Sequence, residues 1–316
     1  MKTTEEILDK VLVGDVLDVL STFPDGIVDI TVTSPPYNKR NSSQGWLVNH
    51  EKYTHSDDQM PEKEYRDWQV IVLNELYRVT KPGGSLFYNH KIRWEGGHLL
   101  HPFAWVARSR WHLRQEIIWD RTLAANVRGW RFWQVDERVY WLYKPVDQRF
   151  VGPELQAKHA KMGSIWRLKP VPRTDSHPAP FPIELPLRAI YSMPGTGERI
   201  VMDPFCGTGT TLVAAKILGH HYIGIDVSPV YAKCSEDRLT SWASEKAQAE
   251  EELARHRVTD PFEDRKKRGT VSWPFGPQPK HENGDPLPLE AIEAEGTDGT
   301  QARSVGSERS AGEDPG

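Results

Sequence analysis

The chain has 316 residues, enough for one large domain or two smaller ones, and 38% of them are apolar. Its two cysteines, Cys206 and Cys234, are too few for a disulfide framework or for a zinc site built from thiolates alone. No apolar run approaches the roughly 20 residues that cross a bilayer, and the N-terminus lacks the pattern of a signal peptide. We therefore expect a cytoplasmic protein without a membrane partner.

The net charge of −4 hides a segregation of charge along the chain. Residues 258–316 contain 12 Asp and Glu against 7 Lys and Arg, whereas residues 86–175 contain 16 Lys and Arg against 8 Asp and Glu. The basic segment also holds 8 of the 12 tryptophans. Because basic side chains neutralise phosphates and aromatic rings stack on bases, this composition is compatible with nucleic-acid binding. A tryptophan-rich core with a solvated basic rim would have the same composition.

Seven short apolar runs predict buried parallel strands. In chain order they are Val11–Val13, Ile27–Val32, Ser85–Tyr88, Glu116–Trp119, Arg138–Tyr143, Arg199–Met202 and Tyr222–Ile225. Helical patterns lie between or after several of them, at Glu64–Val79, at Thr210–Leu218, and from Pro229 toward Arg257. Strands that alternate with helices predict an α/β fold with a doubly wound sheet.

Two segments depart from this alternation. Residues 144–182 contain seven prolines, which predicts an irregular segment. From Val258 onward the chain is rich in Pro, Gly, Glu and Ser and has few large apolar residues, which predicts disorder. The basic run Arg265–Arg268 could contact nucleic acid, but a solvated run of charge is the more frequent explanation. We therefore predict one domain over residues 1–257 and a disordered acidic tail over residues 258–316.

The first motif of chemical interest is Thr33–Asn38, with the sequence TSPPYN, directly after the second predicted strand. Two prolines after a strand make a rigid corner at the carboxyl edge of the sheet, where α/β proteins bind ligands. The prolines leave carbonyl acceptors exposed, Ser34 adds a hydroxyl group, and Tyr37 offers an aromatic face. This corner suits a planar ring that carries an amino group, although a strand-ending turn with a packed tyrosine has the same sequence.

The second motif is Asp203–Thr211, with the sequence DPFCGTGTT, between the sixth predicted strand and the helix that follows it. Small residues there let a ligand approach the backbone, and the first N–H groups of the helix point at it. Asp226 ends the next predicted strand, where it can accept hydrogen bonds from ribose hydroxyls. The turn lacks a dinucleotide fingerprint and the Gly-Lys-Ser/Thr of a phosphate loop, which disfavours NAD and ATP.

Together the two motifs resemble those of the amino-group DNA methyltransferases, in which Ser/Asn/Asp-Pro-Pro-Tyr/Phe is catalytic and D-P-F-x-G-x-G-T binds S-adenosylmethionine. The order of the motifs, catalytic before cofactor, is similar to that of the beta group of this family. Further family landmarks lie at Gly14-Asp15, at residues 78–84 (RVTKPGG) and at residues 177–182 (HPAPFP). The resemblance covers about residues 11–240 and implies a Rossmann-like methyltransferase sheet with a circularly permuted motif order.

The resemblance implies four catalytic residues, Ser34, Pro35, Pro36 and Tyr37. Tyr37 is expected to stack on a flipped base, while Ser34 Oγ and the Pro35 carbonyl accept the hydrogens of its exocyclic amino group. The nitrogen lone pair is then available to attack the methyl group of S-adenosylmethionine without a covalent intermediate or a metal. Ser34 slightly favours cytosine N4 over adenine N6, since most adenine enzymes of the family have Asp there, although Tyr37-Asn38 also occurs in adenine enzymes.

The resemblance also implies a set of cofactor contacts. Asp203 and the turn are expected to hold the methionine end, Asp226 the ribose and Asp15 the adenine, with Phe181 closing over the site. The whole set is Asp15, Phe181, Asp203, Phe205, Cys206, Gly207, Thr208, Gly209, Thr210 and Asp226. Within it, Cys206 occupies the variable position of the turn, where a small buried filler is expected.

Sequence specificity is expected in the basic, Trp-rich segment, which would form a target-recognition insert over approximately residues 120–176. Candidates for phosphate or guanine contacts are Arg128, Arg131, Lys158, Lys161, Arg167 and Lys169. The expected partner is double-stranded DNA, with a cognate restriction endonuclease as a further candidate, and the chain itself is a monomer or homodimer. Two alternatives stay open: an RNA or small-molecule amine methyltransferase, and a catalytically decayed DNA-binding protein on the same fold.

Overall fold

The computed structural model describes residues 2–38, 60–124, 127, 129–148, 152–155, 162–171, 181–195, 197–257, 264 and 267–269. The chain divides into two units, residues 1–259 and 260–316, and every helix and strand named below belongs to the first. The predicted disordered tail lies outside the described residues except for Asp264 and Lys267–Gly269. No helix in the described ranges is both long enough and apolar enough to cross a membrane.

The described residues form ten strands and eight α-helices. The strands are β1 (Lys10–Val13), β2 (Val28–Thr33), β3 (Thr80–His90), β4 (Arg93–Glu95), β5 (His98–Leu100), β6 (His112–Asp120), β7 (Asp136–Tyr143), β8 (Ile165–Arg167), β9 (Ile200–Asp203) and β10 (His221–Asp226). The α-helices are α1 (Thr4–Ile7), α2 (Val16–Ser21), α3 (Glu62–Val79), α4 (Phe103–Val106), α5 (Glu184–Ser192), α6 (Thr210–Ile217), α7 (Pro229–Thr240) and α8 (Lys246–His256).

Eight of these strands form one mixed sheet in the order β1-β10-β9-β2-β3-β7-β6-β8, and β4 pairs with β5 in a separate hairpin. β7 is antiparallel to both of its neighbours, whereas the other pairings in the large sheet are parallel. The predicted α/β fold is confirmed, and all seven predicted strands are present. The prediction of parallel orientation is wrong for Arg138–Tyr143, because an apolar run has the same pattern in either direction and β7 returns from β6 without a crossover helix.

Helices cover both faces of the sheet, so most strands are buried on both sides. The alternation of side chains along β7 shows the two faces directly. Val139 and Trp141 belong to the hydrophobic cluster that contains α5 and α6, while Tyr140 and Leu142 belong to the cluster that contains α2 and α3. This burial on both faces explains why the strands appear in the sequence as continuous apolar runs.

Two details differ from the sequence expectation. The helix predicted from Pro229 toward Arg257 is interrupted by a 3-10 turn at Trp242–Glu245, where Trp242 packs against the cluster of α5 and α6. The segment 144–182, predicted to be irregular, contains the short strand β8. β8 has three residues, of which Trp166 is buried, and such a short run produces no period that the sequence alone reveals.

The topology brings the two sequence motifs to one edge of the sheet. β2 and β9 are neighbours, so the corner after Thr33 and the turn after Asp203 lie side by side at the carboxyl ends of parallel strands. Because β7 runs the opposite way, its first residues reach the same edge, where Arg138 pairs with His90 at the end of β3. The two ends of the connection between β6 and β7, Arg121 and Val135, therefore also lie at this edge, where the Arg121 N–H donates to the Val135 carbonyl at 2.8 Å.

Candidate active site

The corner after β2 brings the four predicted catalytic residues, 34–37, together at the sheet edge. Pro35 is buried, while Ser34, Pro36 and Tyr37 are half-buried. Ser34 Oγ lies 2.5 Å from the Tyr37 hydroxyl oxygen. The corner therefore presents a serine hydroxyl and an aromatic ring in a fixed relation, as the sequence predicted from the two prolines.

Three polar residues that the sequence analysis did not assign to the site surround this corner. The Tyr37 hydroxyl donates to Glu137 Oε2 at 2.9 Å, and Arg121 Nη1 donates to Glu137 Oε1 at 2.9 Å. Asn89 Nδ2 lies 2.8 Å from the Tyr37 oxygen and 3.0 Å from Glu137 Oε2. These residues belong to β7, β3 and the connection after β6, so only the pairing of the strands brings them together. In the sequence, the one feature that indicated these residues was a carboxylate, Glu137, directly before an apolar strand.

A layer of buried aromatic side chains supports the corner from behind. The His90 ring centroid lies 4.7 Å from that of Tyr37, with an interplanar angle of 42°. The Tyr65 hydroxyl lies 2.6 Å from His90 Nε2 and 2.7 Å from the Pro36 carbonyl oxygen. Burial, together with the nearby Arg93, lowers the pKa of His90 to about 3, so its imidazole is neutral at pH 7. Tyr37 therefore lies against an uncharged aromatic layer.

The carboxylate of Asp203 connects the corner to the glycine turn. Asp203 ends β9, and its Oδ1 accepts from Thr33 Oγ1 at 2.7 Å and from the Phe205 N–H at 3.1 Å. Its Oδ2 is buried and has no hydrogen-bond partner among the described residues. Burial raises the pKa of Asp203 to about 6. Such an acceptor suits a cationic donor from a ligand.

The glycine turn itself is closed by the next strand. The Gly207 N–H donates to Asp226 Oδ2 at 2.9 Å, and the Ser228 N–H donates to Asp226 Oδ1 at 2.8 Å. Gly209 has φ +78°, and a Cβ there would lie 2.1 Å from Ser235 Oγ, so glycine is required for α6 to start close to α7. The first N–H groups of a helix have no partner within the helix and can bind an anion. The start of α6 therefore offers anion donors within the turn that begins at Asp203.

The other predicted cofactor residues occupy varied positions. Cys206 is buried, which raises the pKa of its thiol, and its sulfur lies under Gly224 as a small filler. The Phe205 ring packs edge-on against Trp68 of α3, with centroids 5.8 Å apart. Thr208 is half-buried and Thr210 is buried. The Thr210 hydroxyl accepts from Arg238 Nη1 at 2.8 Å.

Asp15 and Phe181 lie away from the turn in sequence. Asp15 is exposed and caps α2, where its Oδ1 accepts from the Leu17 N–H at 2.8 Å. This cap is a sufficient reason for an acidic residue at that position, so a contact with adenine stays a prediction. Phe181 is half-buried against the cluster of α5 and α6. Residues 177–180 before it lie outside the described residues.

Three of the predicted DNA contacts, Arg128, Lys158 and Lys161, lie outside the described residues. Arg131 lies over the Trp94 ring, with its guanidinium carbon 4.1 Å from the ring centroid. The side chain of Arg167 is exposed and pairs with Asp120 at 3.2 Å, and Lys169 is exposed. Arg167 ends β8, which is parallel to β6, so Arg167 reaches the same edge of the sheet as the β6–β7 connection.

The tryptophan-rich segment contributes rings both to the core and to the exposed surface, so each of its two interpretations applies to some of its residues. Five of its eight tryptophans are buried in the core: Trp105, Trp111, Trp119, Trp141 and Trp166. Trp130 and Trp133 are instead 60% and 65% exposed, and Phe132 between them is 98% exposed. Large exposed aromatic rings this close together in the sequence indicate an interaction surface. These three rings, here called the aromatic edge, lie in the β6–β7 connection, whose ends are at the same edge of the sheet as the corner.

An α/β sheet with a Ser-Pro-Pro-Tyr corner beside a glycine turn defines the class of this protein. The family model described as DNA methylase matches residues 28–237, which is more than half of the chain. The chain therefore belongs to the DNA methylase family, and the predicted membership of the amino-group DNA methyltransferases is confirmed.

Individual relatives agree with this class. The chain is similar to the type II methyltransferase M.BglII of Bacillus subtilis, with 28% identity over 255 residues that cover 71% of this chain and 67% of the relative. It is also similar to a candidate DNA modification methylase of Thermus thermophilus solved in complex with S-adenosyl-L-methionine. That match has 25% identity and a TM-score of 0.52, and covers 74% of this chain and 95% of the other. The cytosine-N4-specific PvuII DNA methyltransferase shares the fold, with 19% identity, a TM-score of 0.57, and coverage of 76% and 92%.

Proposed function

We propose that this chain is a site-specific DNA methyltransferase that methylates the exocyclic amino group of a flipped base, with cytosine N4 slightly favoured over adenine N6. The observation that carries this proposal is the 2.7 Å hydrogen bond between Thr33 and Asp203. It joins the corner that offers acceptors to an amino group with the turn that offers a ligand cradle. A methyl donor in the turn and a base at the corner would therefore be adjacent, as direct transfer requires.

The residues of the turn fit S-adenosylmethionine, which supplies an electrophilic methyl group when bound. Asp203 Oδ2 is a buried acceptor for the ammonium group, and the first N–H groups of α6 suit the carboxylate. A carboxylate has about four lone-pair sites, so Asp226 can accept from ribose hydroxyls while it holds Gly207 and Ser228. Asp15 toward the adenine and Phe181 over the site complete the proposed contacts.

At the corner, the residues orient the base and hold its amino group. A base inside a duplex hides its amino nitrogen, so the target flips out and stacks on Tyr37. Ser34 Oγ and the Pro35 carbonyl accept the amino hydrogens, which favours a lone pair localised on nitrogen for in-line attack. The preference for cytosine over adenine rests on Ser34 alone, because the likeness to the PvuII enzyme is one of fold.

The aromatic edge and the basic residues around it are the proposed contacts with double-stranded DNA. Exposed rings can stack on bases or enter between base steps, and Arg131, Arg167 and Lys169 can neutralise phosphates. All of these side chains belong to the target-recognition segment proposed for residues 120–176. A cognate restriction endonuclease is a further proposed partner.

Expression in a host without DNA methylation, followed by single-molecule sequencing of its genome, tests this function. We expect one short sequence to carry a methylated amino group, on cytosine or adenine, and a Tyr37→Ala variant expressed at the same level to leave the genome unmodified. Methyl transfer to tRNA or rRNA but not to duplex DNA would favour an RNA enzyme instead. Tight duplex binding without cofactor binding would favour a decayed DNA-binding protein.

A further inference from the structure

Glu137 is a buried carboxylate with three partners, each from a different part of the chain. Its side chain is 6% exposed, and Oε1 pairs with Arg121 at 2.9 Å. Oε2 accepts from the Tyr37 hydroxyl at 2.9 Å and from Asn89 Nδ2 at 3.0 Å. In the ionised state this group can only accept hydrogen bonds, so it fixes the direction of each bond that it makes.

The directions of the remaining bonds follow from a count of protons. Tyr37 has one hydroxyl proton, which it donates in the hydrogen bond to Glu137. The Tyr37 oxygen must therefore accept from Asn89 Nδ2, at 2.8 Å, and from the Ser34 hydroxyl, at 2.5 Å. Ser34 also has one proton, and this proton points to Tyr37. Asn89 Nδ2 also lies 3.3 Å from the Ser34 oxygen and faces one of its lone pairs. The second lone pair, and no proton, is left for a ligand.

We propose that Glu137 is a positioning residue for methyl transfer that acts through the chain Ser34 to Tyr37 to Glu137. Because it accepts the hydrogen bond of the Tyr37 hydroxyl, it leaves Ser34 Oγ as an acceptor for the target amino group. This inference rests on the proposed function. It also explains how the site distinguishes an amino group, which donates hydrogen bonds, from the keto oxygen of thymine or guanine, which accepts them.

Glu137→Gln reverses this chain while it keeps the size of the side chain. The amide nitrogen can donate to Tyr37, the Tyr37 proton then turns to Ser34, and the Ser34 proton turns toward the base. We expect kcat on duplex DNA to fall roughly 100-fold, as when one oriented polar group is lost from a catalytic site. KM for DNA and the Kd of S-adenosylmethionine should change by less than about threefold, because in this proposal Glu137 acts through Tyr37 and Ser34.

Glu116→Gln is the matched control. Glu116 lies on β6, pairs with Arg138 on the other face of the sheet from Glu137, and is 38% exposed. This variant should keep the kcat of the wild type. If Glu137→Gln leaves Arg121 unpaired and the protein does not fold, the double variant Arg121→Gln/Glu137→Gln provides the same comparison without a buried charge.

A Tyr37→Phe background separates this role from a merely structural one. Tyr37→Phe keeps the ring but removes the hydroxyl that connects Glu137 to Ser34 through hydrogen bonds. In that background, Glu137→Gln should lower kcat by less than about threefold. A loss as large as in the wild type would overturn the inference, as would a Glu137→Gln enzyme with normal kcat. The proposed function fails separately, if the wild-type chain transfers no methyl group to DNA.

Discussion

Two halves of the sheet edge hold their side chains in opposite ways: the half at β9 and β10, proposed to bind the cofactor (the cofactor half), and the half at the β6–β7 connection, proposed to recognise DNA (the recognition half). At β9 and β10, Asp203 is 1% exposed and Asp226 binds two backbone N–H groups. In the β6–β7 connection, Phe132 is 98% exposed, and Trp130 and Trp133 beside it are more than half exposed. The first half is preorganised by the fold, whereas the second presents large apolar rings to solvent.

This difference agrees with the ligand that we propose for each half. A cofactor is one molecule with fixed charges, so a rigid cradle built from backbone groups and buried carboxylates binds it without reorganisation. A recognition surface must reach into a groove, so its side chains stand free of the core until the partner covers them. The catalytic corner lies between the two halves and is fixed from both sides, by Asp203 and by Glu137.

Replacement of Tyr37 should have the largest effect, because the corner serves both halves. Tyr37→Ala removes the stacking surface, and we expect kcat/KM for duplex DNA to fall more than about 100-fold, since stacking and base orientation are lost together. Cofactor affinity should survive, as measured by calorimetric titration. Tyr37→Phe, which keeps the ring, should retain more activity. Full turnover by the alanine variant, or its failure to fold, would remove Tyr37 from the catalytic residues.

The cofactor half should respond to pH near neutrality, whereas the recognition half should not. The pKa of Asp203 is about 6, so its carboxylate is mostly ionised at pH 7 and mostly neutral at pH 5. A cationic ammonium prefers the ionised form, so the affinity for S-adenosylmethionine should rise with pH through 6 and be about tenfold weaker at pH 5 than at pH 7. Calorimetric titration at both values measures this change. An Asp203→Asn variant should lose the dependence, and an equal slope in that variant would assign it to another group.

The smallest effect is expected at the aromatic edge, because one ring among several is removed. Phe132→Ala should weaken duplex DNA binding by about 1 kcal/mol, or roughly fivefold, at the low end of base stacking energies. Its melting temperature should stay at the wild-type value, since the ring is exposed. The matched control is Ile71→Ala, which removes a side chain that is 52% exposed on α3. Equal affinities of the two variants for DNA would indicate that the aromatic edge serves another partner.

The sequence indicated more of the local structure of the cofactor half than of the recognition half, for a physical reason. The turn from Asp203 and the corner at Ser34 are local, since a strand end, prolines and glycines determine their shape within a few residues. Glu137, Asn89 and Arg121 act together only because strand pairing brings Asn89 opposite Val139. A single sequence contains no information about such a register.

The direction of β7 and the exposure of individual tryptophans could not be predicted from the sequence, for the same reason. The run at Arg138–Tyr143 was found as a strand, but its antiparallel direction depends on its neighbours. Trp130 and Trp141 are the same residue type in the same basic segment, yet the side chain of Trp130 is exposed and that of Trp141 is buried. The sequence could place both in a basic, aromatic segment without telling which of them lies in the core.

The central claim is that the glycine turn, with Asp203 and Asp226, holds the cofactor independently of DNA. Calorimetric titration with S-adenosylmethionine on Asp203→Asn and Asp226→Asn tests it, beside a gel shift on duplex DNA. Loss of a charge-assisted hydrogen bond costs about 1.5–3 kcal/mol, so each variant should bind the cofactor roughly ten- to hundredfold more weakly. DNA affinity should not change, and Asp120→Asn, at the recognition half, should bind the cofactor normally. Unchanged cofactor affinity in both turn variants would contradict the claim.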